Sequence, residues 1–212
     1  MKTVYIVLIG LLIGLSSAIS QAQDIYMKIT PYSGKGVSPT ENSGLVLKVM
    51  DNGKTVDMNS YIQVSSLQYD TEQTLNIGSQ SSGAGAGKIA FNPLTITKIV
   101  DQASGPLFTA MALGQAYQTV EFIFVRSSGG SGTVDVIYKL TLKLAAVKKI
   151  SIGSVDCSSG CTGLAESVSF EYGGLIMTTY TQSKTGQITG TKLNGWNRVK
   201  NVQDNDPSTT IP

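Results

Sequence analysis

An all-β domain, a sandwich or a barrel with one short helix, is the fold class this sequence predicts. Apolar residues recur at every second position in several separate runs, the period of a half-buried strand. Gly- and Ser-rich breaks such as Ser127-Ser-Gly-Gly-Ser-Gly132 divide those runs as hairpin loops do. Only one stretch carries helical spacing between a start signal and a stop signal.

The N-terminal segment is set aside from the fold. Lys2 supplies a positive start and Val4 to Leu15 is an uncharged apolar run of 12 residues. Small residues follow, with Ser20 and Ala22 spaced as a peptidase site and Ala18 as an alternative cut. This is the three-part pattern of a secretory signal peptide over residues 1–22. A membrane-spanning helix needs roughly 20 apolar residues, so stable membrane insertion is not expected.

The first strand is expected at 25–29 and the next at 45–50. Asp51-Asn52-Gly53 turns that second strand back toward Val56, because Asn-Gly accepts positive φ. Strands at 61–69 and 89–99 lead to the helix. There Ser104 serves as the expected N-cap, Pro106 lies in the first turn and Gly114 is the stop. Leu107, Phe108 and Met111 form the stripe expected to pack on a sheet. The strands that follow are 118–126, 133–145, 147–152, 166–172 and 175–181. In 133–145, Val134, Val136, Tyr138, Leu140, Leu142 and Leu144 share one expected face, and Asp135, Lys139, Thr141 and Lys143 the other. In 166–172, Val168, Phe170 and Tyr172 alternate with Ser167, Ser169 and Glu171. The polar end of the chain is expected to be loosely ordered, with the lone Trp196 anchoring it to the body.

Composition narrows function. Removing Lys2 from 16 basic residues leaves 15 against 14 acidic ones, a net charge of +1. So small a charge gathers no phosphate, and nucleic acid is not an expected partner. Charged residues make up 14% of the chain, against about 25% in ordinary soluble domains, which suits a surface that meets other protein. Histidine is absent, excluding Ser-His-Asp and Cys-His catalysis and His-based zinc sites. Asp101, Glu121, Asp135 and Glu171 are the carboxylates from which a glycosidase pair would be drawn. The alternation of 118–126, 133–145 and 166–172 explains three of them as solvated, and Lys98 and Asp101 are expected to pair structurally near the helix. The loop 79–88 lacks the phosphate-loop pattern, with Ser82 in place of Gly and Ile89 in place of Ser or Thr. No cofactor is implied. Export favours a Cys157–Cys161 disulfide, a local staple contributing roughly 2 kcal/mol.

Several motifs then fall in a known order. They are Ile25-Tyr-Met-Lys-Ile29, Gly83-Ala-Gly-Ala-Gly-Lys88, Leu94-Thr-Ile-Thr-Lys98, Val100-Asp-Gln-Ala-Ser104, Pro106-Leu-Phe108, Tyr138-Lys-Leu-Thr-Leu142, Glu166-Ser-Val-Ser-Phe170 and Gly195-Trp-Asn-Arg-Val-Lys-Asn201. Together they cover nearly all of the chain after residue 22. In this order the chain resembles the Hcp family, the hemolysin-coregulated tube proteins of bacterial type VI secretion.

The resemblance implies a single domain at 23–212, a compact β-barrel of two sheets with one short flanking α-helix. It implies a structural, non-catalytic role: six copies close into a homohexameric ring, rings stack into a tube, and the tube meets a spike protein and carries small effector proteins. The family's extended loop maps to 70–87, with Asp70, Gly78, Gly83 and Gly87 as candidates for ring stacking, and the tail to 196–212. Two features depart from the family pattern. The N-terminus points to a secreted or periplasmic protein, and 44–60 looks like an inserted hairpin that could decorate a ring or block stacking. The alternative is a monomeric secreted binding module or adhesin, while a secreted hydrolase is disfavoured by the missing histidine.

Overall fold

A computed structural model describes residues 24–32, 48–73, 89–127, 133–155 and 163–211. Its elements are β1 (Asp24–Pro31), β2 (Lys48–Asp51), β3 (Lys54–Val56), β4 (Tyr61–Val64), β5 (Ser66–Gln68), β6 (Thr71–Gln73), β7 (Ile89–Phe91) and β8 (Leu94–Ile99). After α1 (Ser104–Ala112) come β9 (Ala116–Ser127), β10 (Thr133–Ser154), β11 (Leu164–Gln182), β12 (Ile188–Asn197) and β13 (Val202–Gln203). Among the described residues the chain adopts the all-β class with one helix.

The large sheet runs β13-β12-β11-β10-β9-β1-β4, with β8 on β11, β5 on β8, and β2 on β10. The pairings are antiparallel except β2 on β10, which is parallel. The circuit does not close as the expected barrel. β4 pairs β1 while β5 pairs β8, and the corner between them makes one backbone bond, Ser65 N–H to Thr97 O at 2.8 Å. Thus 61–69 is two strands rather than one. Likewise 89–99 divides at Asn92-Pro93: β7 pairs with β6 in a separate two-stranded sheet and β8 joins β11. Proline has no N–H for a ladder, so it falls between the two strands.

The opposite correction applies further on. The runs at 133–145 and 147–152 are one strand of 22 residues, and those at 166–172 and 175–181 one of 19. Their ladder joins Tyr138–Thr179 at one end to Ser154–Leu164 at the other. The side-chain phase of β10 nevertheless changes along its length. A register shift against β9 between Val136 and Tyr138 leaves Val134 and Val136 in one apolar cluster and Leu140 and Leu142 in another. Leu144, at φ +48°, changes it again, so that Ala145 and Val147 rejoin Leu142 in the main core. An extra residue in a strand exchanges its faces, which is why uniform alternation fails here.

The main core lies between the wrapped sheet and α1, with Met27, Ile62, Leu94, Leu107, Phe122 and Phe170 fully buried. On α1, Leu107 and Ala110 are buried and Met111 packs beside them, but Phe108 is 61% exposed. The expected stripe is therefore narrower by one residue. Ala103, not Ser104, occupies the cap position, and Gly114 ends the helix at φ +62° as expected. The second cluster lies on the other face. The β2–β3 hairpin turns through Asn52 and Gly53, both at positive φ. It lays Val49 and Val56 against Tyr26, Ile123, Val125 and Val134. The described part of 44–60 is thus a cover for this chain's own sheet.

The tail is ordered rather than loose. Lys143, 1% exposed, donates to Asp204 Oδ2 (2.9 Å), Thr209 Oγ1 (2.6 Å) and the Asp206 carbonyl. Ile211 is 1% exposed, and its Cδ1 lies 2.7 Å from where a Cβ on Gly174 would sit. Tyr32 closes the strap by donating to the Ile211 carbonyl at 2.9 Å. A buried ammonium needs paired acceptors, and here the tail supplies them.

Candidate functional site

Some of the motif residues fall into two charged clusters and one groove. The first cluster sits where β8 meets α1. Lys98 is fully buried and pairs with Glu166 at 2.9 Å and with Asp101. Ser104 Oγ accepts from the Asp101 N–H (3.0 Å) and Lys98 Nζ (3.3 Å) and donates to Glu166 Oε1 (2.7 Å). This explains why Ser104 is not the cap: its hydroxyl turns back into the cluster, while Asp101 Oδ1 accepts from the Ala103 N–H at 2.9 Å. Lys98 and the Ser104 hydroxyl thus direct their hydrogen bonds to the two carboxylates and to the start of the helix. The cluster ties the helix to β8 and β11, as expected for Lys98 and Asp101.

The second cluster lies under the β2–β3 hairpin. Lys139 donates to Asp51 Oδ2 at 2.6 Å and stands 3.5 Å from Glu121. Tyr180 donates to Asp51 (2.7 Å) and Tyr61 to Glu121 (2.6 Å). Burial works against the Lys139 charge, but Glu121 and Asp51 outweigh it and hold its pKa above the usual lysine value. Burial, followed by the neighbouring carboxylates, pushes the Tyr61 and Tyr180 hydroxyls far up. These groups satisfy one another, and the hairpin is thereby fastened to β9, β10 and β11.

The groove is lined from β6, β7, β9, β10 and β11 and by Trp196 and Arg198 of the Gly195-Trp-Asn-Arg motif. It encloses about 1080 Å³, and Phe91, Leu144, Tyr172, Trp196, Arg198 and Val199 lie along it. Each motif residue has a physical task. A Cβ on Gly195 would overlap the Asp204 carbonyl, so glycine alone permits the tail to cross there. Trp196 pairs with Leu175 on one side and Gln203 on the other, anchoring the tail as expected, with its indole N–H buried and without an acceptor among the described residues. Asn197 accepts from the Lys200 N–H at 2.9 Å. Arg198 stacks on Phe91 and Tyr172, with centroids 5.2 and 4.8 Å away, and donates to Glu171 at 2.9 Å. Burial opposes ionisation of Glu171, yet Arg198 and Lys148 overcome it and lower its pKa.

The extended-loop candidates are divided by what the structure describes. Asp70 is exposed at the root of the loop, where its Oδ2 accepts from Asn92 Nδ2 at 2.5 Å. Beyond it β6 and β7 pair as a stem, Thr71 with Phe91 and Gln73 with Ile89. Gly78, Gly83 and Gly87 lie outside the described residues, as do Cys157 and Cys161. Of the four carboxylates considered for hydrolysis, Asp101, Glu121 and Glu171 sit in three different ion-paired groups. Asp135 stands on β10 opposite Arg126 and Met50.

Residues 50–180 match the family described as "Type VI secretion system effector, Hcp". The chain belongs to the Hcp family. Solved Hcp-like structures share its fold. One is described as a type six secretion system protein, with 20% identity and a TM-score of 0.65 over 86% of this chain and 100% of the other. Hcp1 from Salmonella typhimurium follows at 17% identity and a TM-score of 0.56, covering 86% and 99%. Hcp1 from E. coli EAEC 042 aligns at 16% identity and 0.56, covering 81% and 99%. No curated protein sequence matches the chain. At these identities the structural likeness is one of fold. The family match also spans the described part of the β2–β3 hairpin from Met50 onward, so most of that hairpin lies within the matched region rather than outside it.

Proposed function

We propose that this chain is a structural subunit of a type VI secretion tube, closing with copies of itself into six-membered rings that stack. The Hcp match over 50–180 carries the reading. The ion-paired clusters support a non-catalytic role, since their charges are spent on holding α1, the hairpin and the tail to the sheet. Rings would stack through the loop rooted at Asp70, and their lumen and tip would receive small effector proteins and a spike protein. Residues 1–22 direct export and are removed, placing the subunit in the periplasm or outside the cell, with Cys157 and Cys161 joined there.

The test is the mass of the processed protein by light scattering, with electron microscopy of the same sample. Six-membered rings are expected. A single chain at high concentration would overturn the reading. Intact mass fixes the N-terminus, and thiol labelling before and after reduction tests the cysteine pair. The second reading, a monomeric binding module or adhesin, draws on the aromatic groove at Phe91, Tyr172 and Trp196. Glycan binding by a monomeric species would favour it.

A further inference from the structure

Three ionisable side chains meet where β8 joins α1, and their charges do not balance. Lys98 and Glu166 are 0% and 1% exposed and stand directly opposite each other on β8 and β11. Asp101, its side chain 18% exposed, touches the same ammonium. One buried cation therefore faces two carboxylates. The two oxygens of Glu166 also differ. Oε1 accepts from Lys98 at 2.9 Å and from Ser104 at 2.7 Å, whereas Oε2 is buried with no donor among the described residues. An ionised oxygen left without a donor in the interior is costly, and such an atom calls for a physical reason.

We infer that Lys98 and Glu166 condense into an intramolecular amide, Nζ to Cδ, with Asp101 as proton carrier and Ser104 holding the carbonyl oxygen. The step starts from the ion pair. One ammonium proton passes to Oε2, the oxygen with no other donor, which leaves a neutral amine and a neutral carboxyl. The nitrogen lone pair then bonds to Cδ while the Ser104 hydroxyl stabilises the charge gathering on Oε1. Asp101 takes a second proton from the nitrogen and returns it to the Oε2 hydroxyl. The Cδ–Oε2 bond breaks with its electron pair, and one water departs. Nothing is oxidised or reduced, and no other reactant enters. Burial drives the reaction forward, because two desolvated ions become one neutral amide, and the fixed contact replaces an encounter. The other lysine clusters lack this combination. Lys139, Asp51 and Glu121 are 20–25% exposed, and no oxygen around Lys139 or Lys143 is buried without a donor. The product joins β8 to β11 covalently beside α1, and it does so whether or not the chain forms rings.

Mass spectrometry of the purified whole protein, reduced and unfolded after storage in the folded state, reads the bond. The expected mass is lower by about 18 Da, one water. After trypsin, residues 89–126 and 150–184 should appear joined, with no cleavage after Lys98. Full mass together with cleavage after Lys98 would overturn the inference and leave a plain ion triad. A bond from Lys98 to Asp101 would overturn it too, and is recognised because 89–126 then appears unjoined. Two variants add a second arm. Lys98→Met should keep its full mass, and a water still lost from it would place the reaction elsewhere and sink the assignment. Asp101→Asn retains the amine, the carboxyl and the shape of the cluster but carries no proton. It is expected to stay at full mass, and joining as complete as in the wild type would remove Asp101 from its role. Should either variant fail to fold, the wild-type digest decides alone.

Discussion

The ammonium of Lys143, in the middle of the longest strand, is neutralised by Asp204, 61 residues further along the chain. Nothing about Lys143 in the sequence distinguishes it from the solvated residues of its strand. The pairing makes the C-terminal segment part of the fold, and removing either partner should have unequal effects. Asp204→Asn leaves a shielded charge without its counter-ion and is expected to cost about 3 kcal/mol, the low end for a broken buried pair because Asp204 keeps some solvent contact. Lys143→Met removes the charge with similar volume and should cost less. Urea midpoints for the two variants check the order.

The same pair gives the protein an acid limit. Burial raises the Asp204 pKa, but the hydrogen bond from Lys143 and those from Asp206 and Thr209 outweigh it, leaving the carboxyl below its ordinary range. A depressed folded pKa contributes stability that is complete above the unfolded value, about 3.9, and is lost as pH falls through the folded one. Glu171 acts with the same sign. With no histidine in the chain, stability should stay nearly level from about pH 5 to 9 and fall below about pH 4. Thermal transitions across pH measure this, and Asp204→Asn should flatten the acid limb.

At the alkaline end the buried tyrosines set the response. Burial first, and then the Asp24 charge, pushes Tyr26 up to about 12, and burial alone does the same for Tyr117. Raised tyrosine values stabilise below the ordinary value, about 10, and the contribution disappears as pH climbs through the folded one. Absorbance of tyrosinate from this buried set should therefore rise late, above the ordinary value of about 10, and together with unfolding.

Glycine positions offer a sharper comparison. Gly195→Ala forces a methyl into the Asp204 carbonyl, and the obstacle is backbone, which cannot swing aside. A loss of about 2 kcal/mol is expected, within the usual range for overpacking. Gly153→Ala meets nothing within 4 Å and should be neutral or slightly stabilising. Chemical denaturation of both variants settles the contrast.

Lys98→Met should be the most damaging of these changes. It strands Glu166 and Asp101 in the main body without their cation, at a cost of roughly 3–5 kcal/mol. Ser104→Ala, which removes one hydroxyl from the same cluster, should cost about 1 kcal/mol. Circular dichroism melts distinguish the two.

Much of this architecture was legible from local pattern. Alternation located β1, β9 and the Val168-Phe170-Tyr172 face of β11, Asn52-Gly53 located a hairpin, and Gly114 located the helix end. What escaped has a common cause, because it depends on contacts distant in sequence. β12 is an edge strand whose Thr-rich run buries little, so its structure comes from backbone pairing with β11 rather than from an apolar rhythm. The tail is held by Lys143, Gly174 and Tyr32, none of which lies near it in the chain. Ser104 has the local neighbours of a cap, whereas Glu166 claims its hydroxyl. The groove around Trp196 and Arg198 was visible only as motif residues, since Phe91 and Tyr172 reach it from separate strands.

The phase changes along β10 make its spacing intolerant of deletion in a particular way. Losing Ile137 would straighten the strand and turn Val134 and Val136 toward the interior that Leu140 and Leu142 fill. The hairpin residues Val49 and Val56 would then face bare backbone and polar groups. One missing codon would thus exchange the inside and outside of the sheet at its far end while every remaining side chain stayed the same.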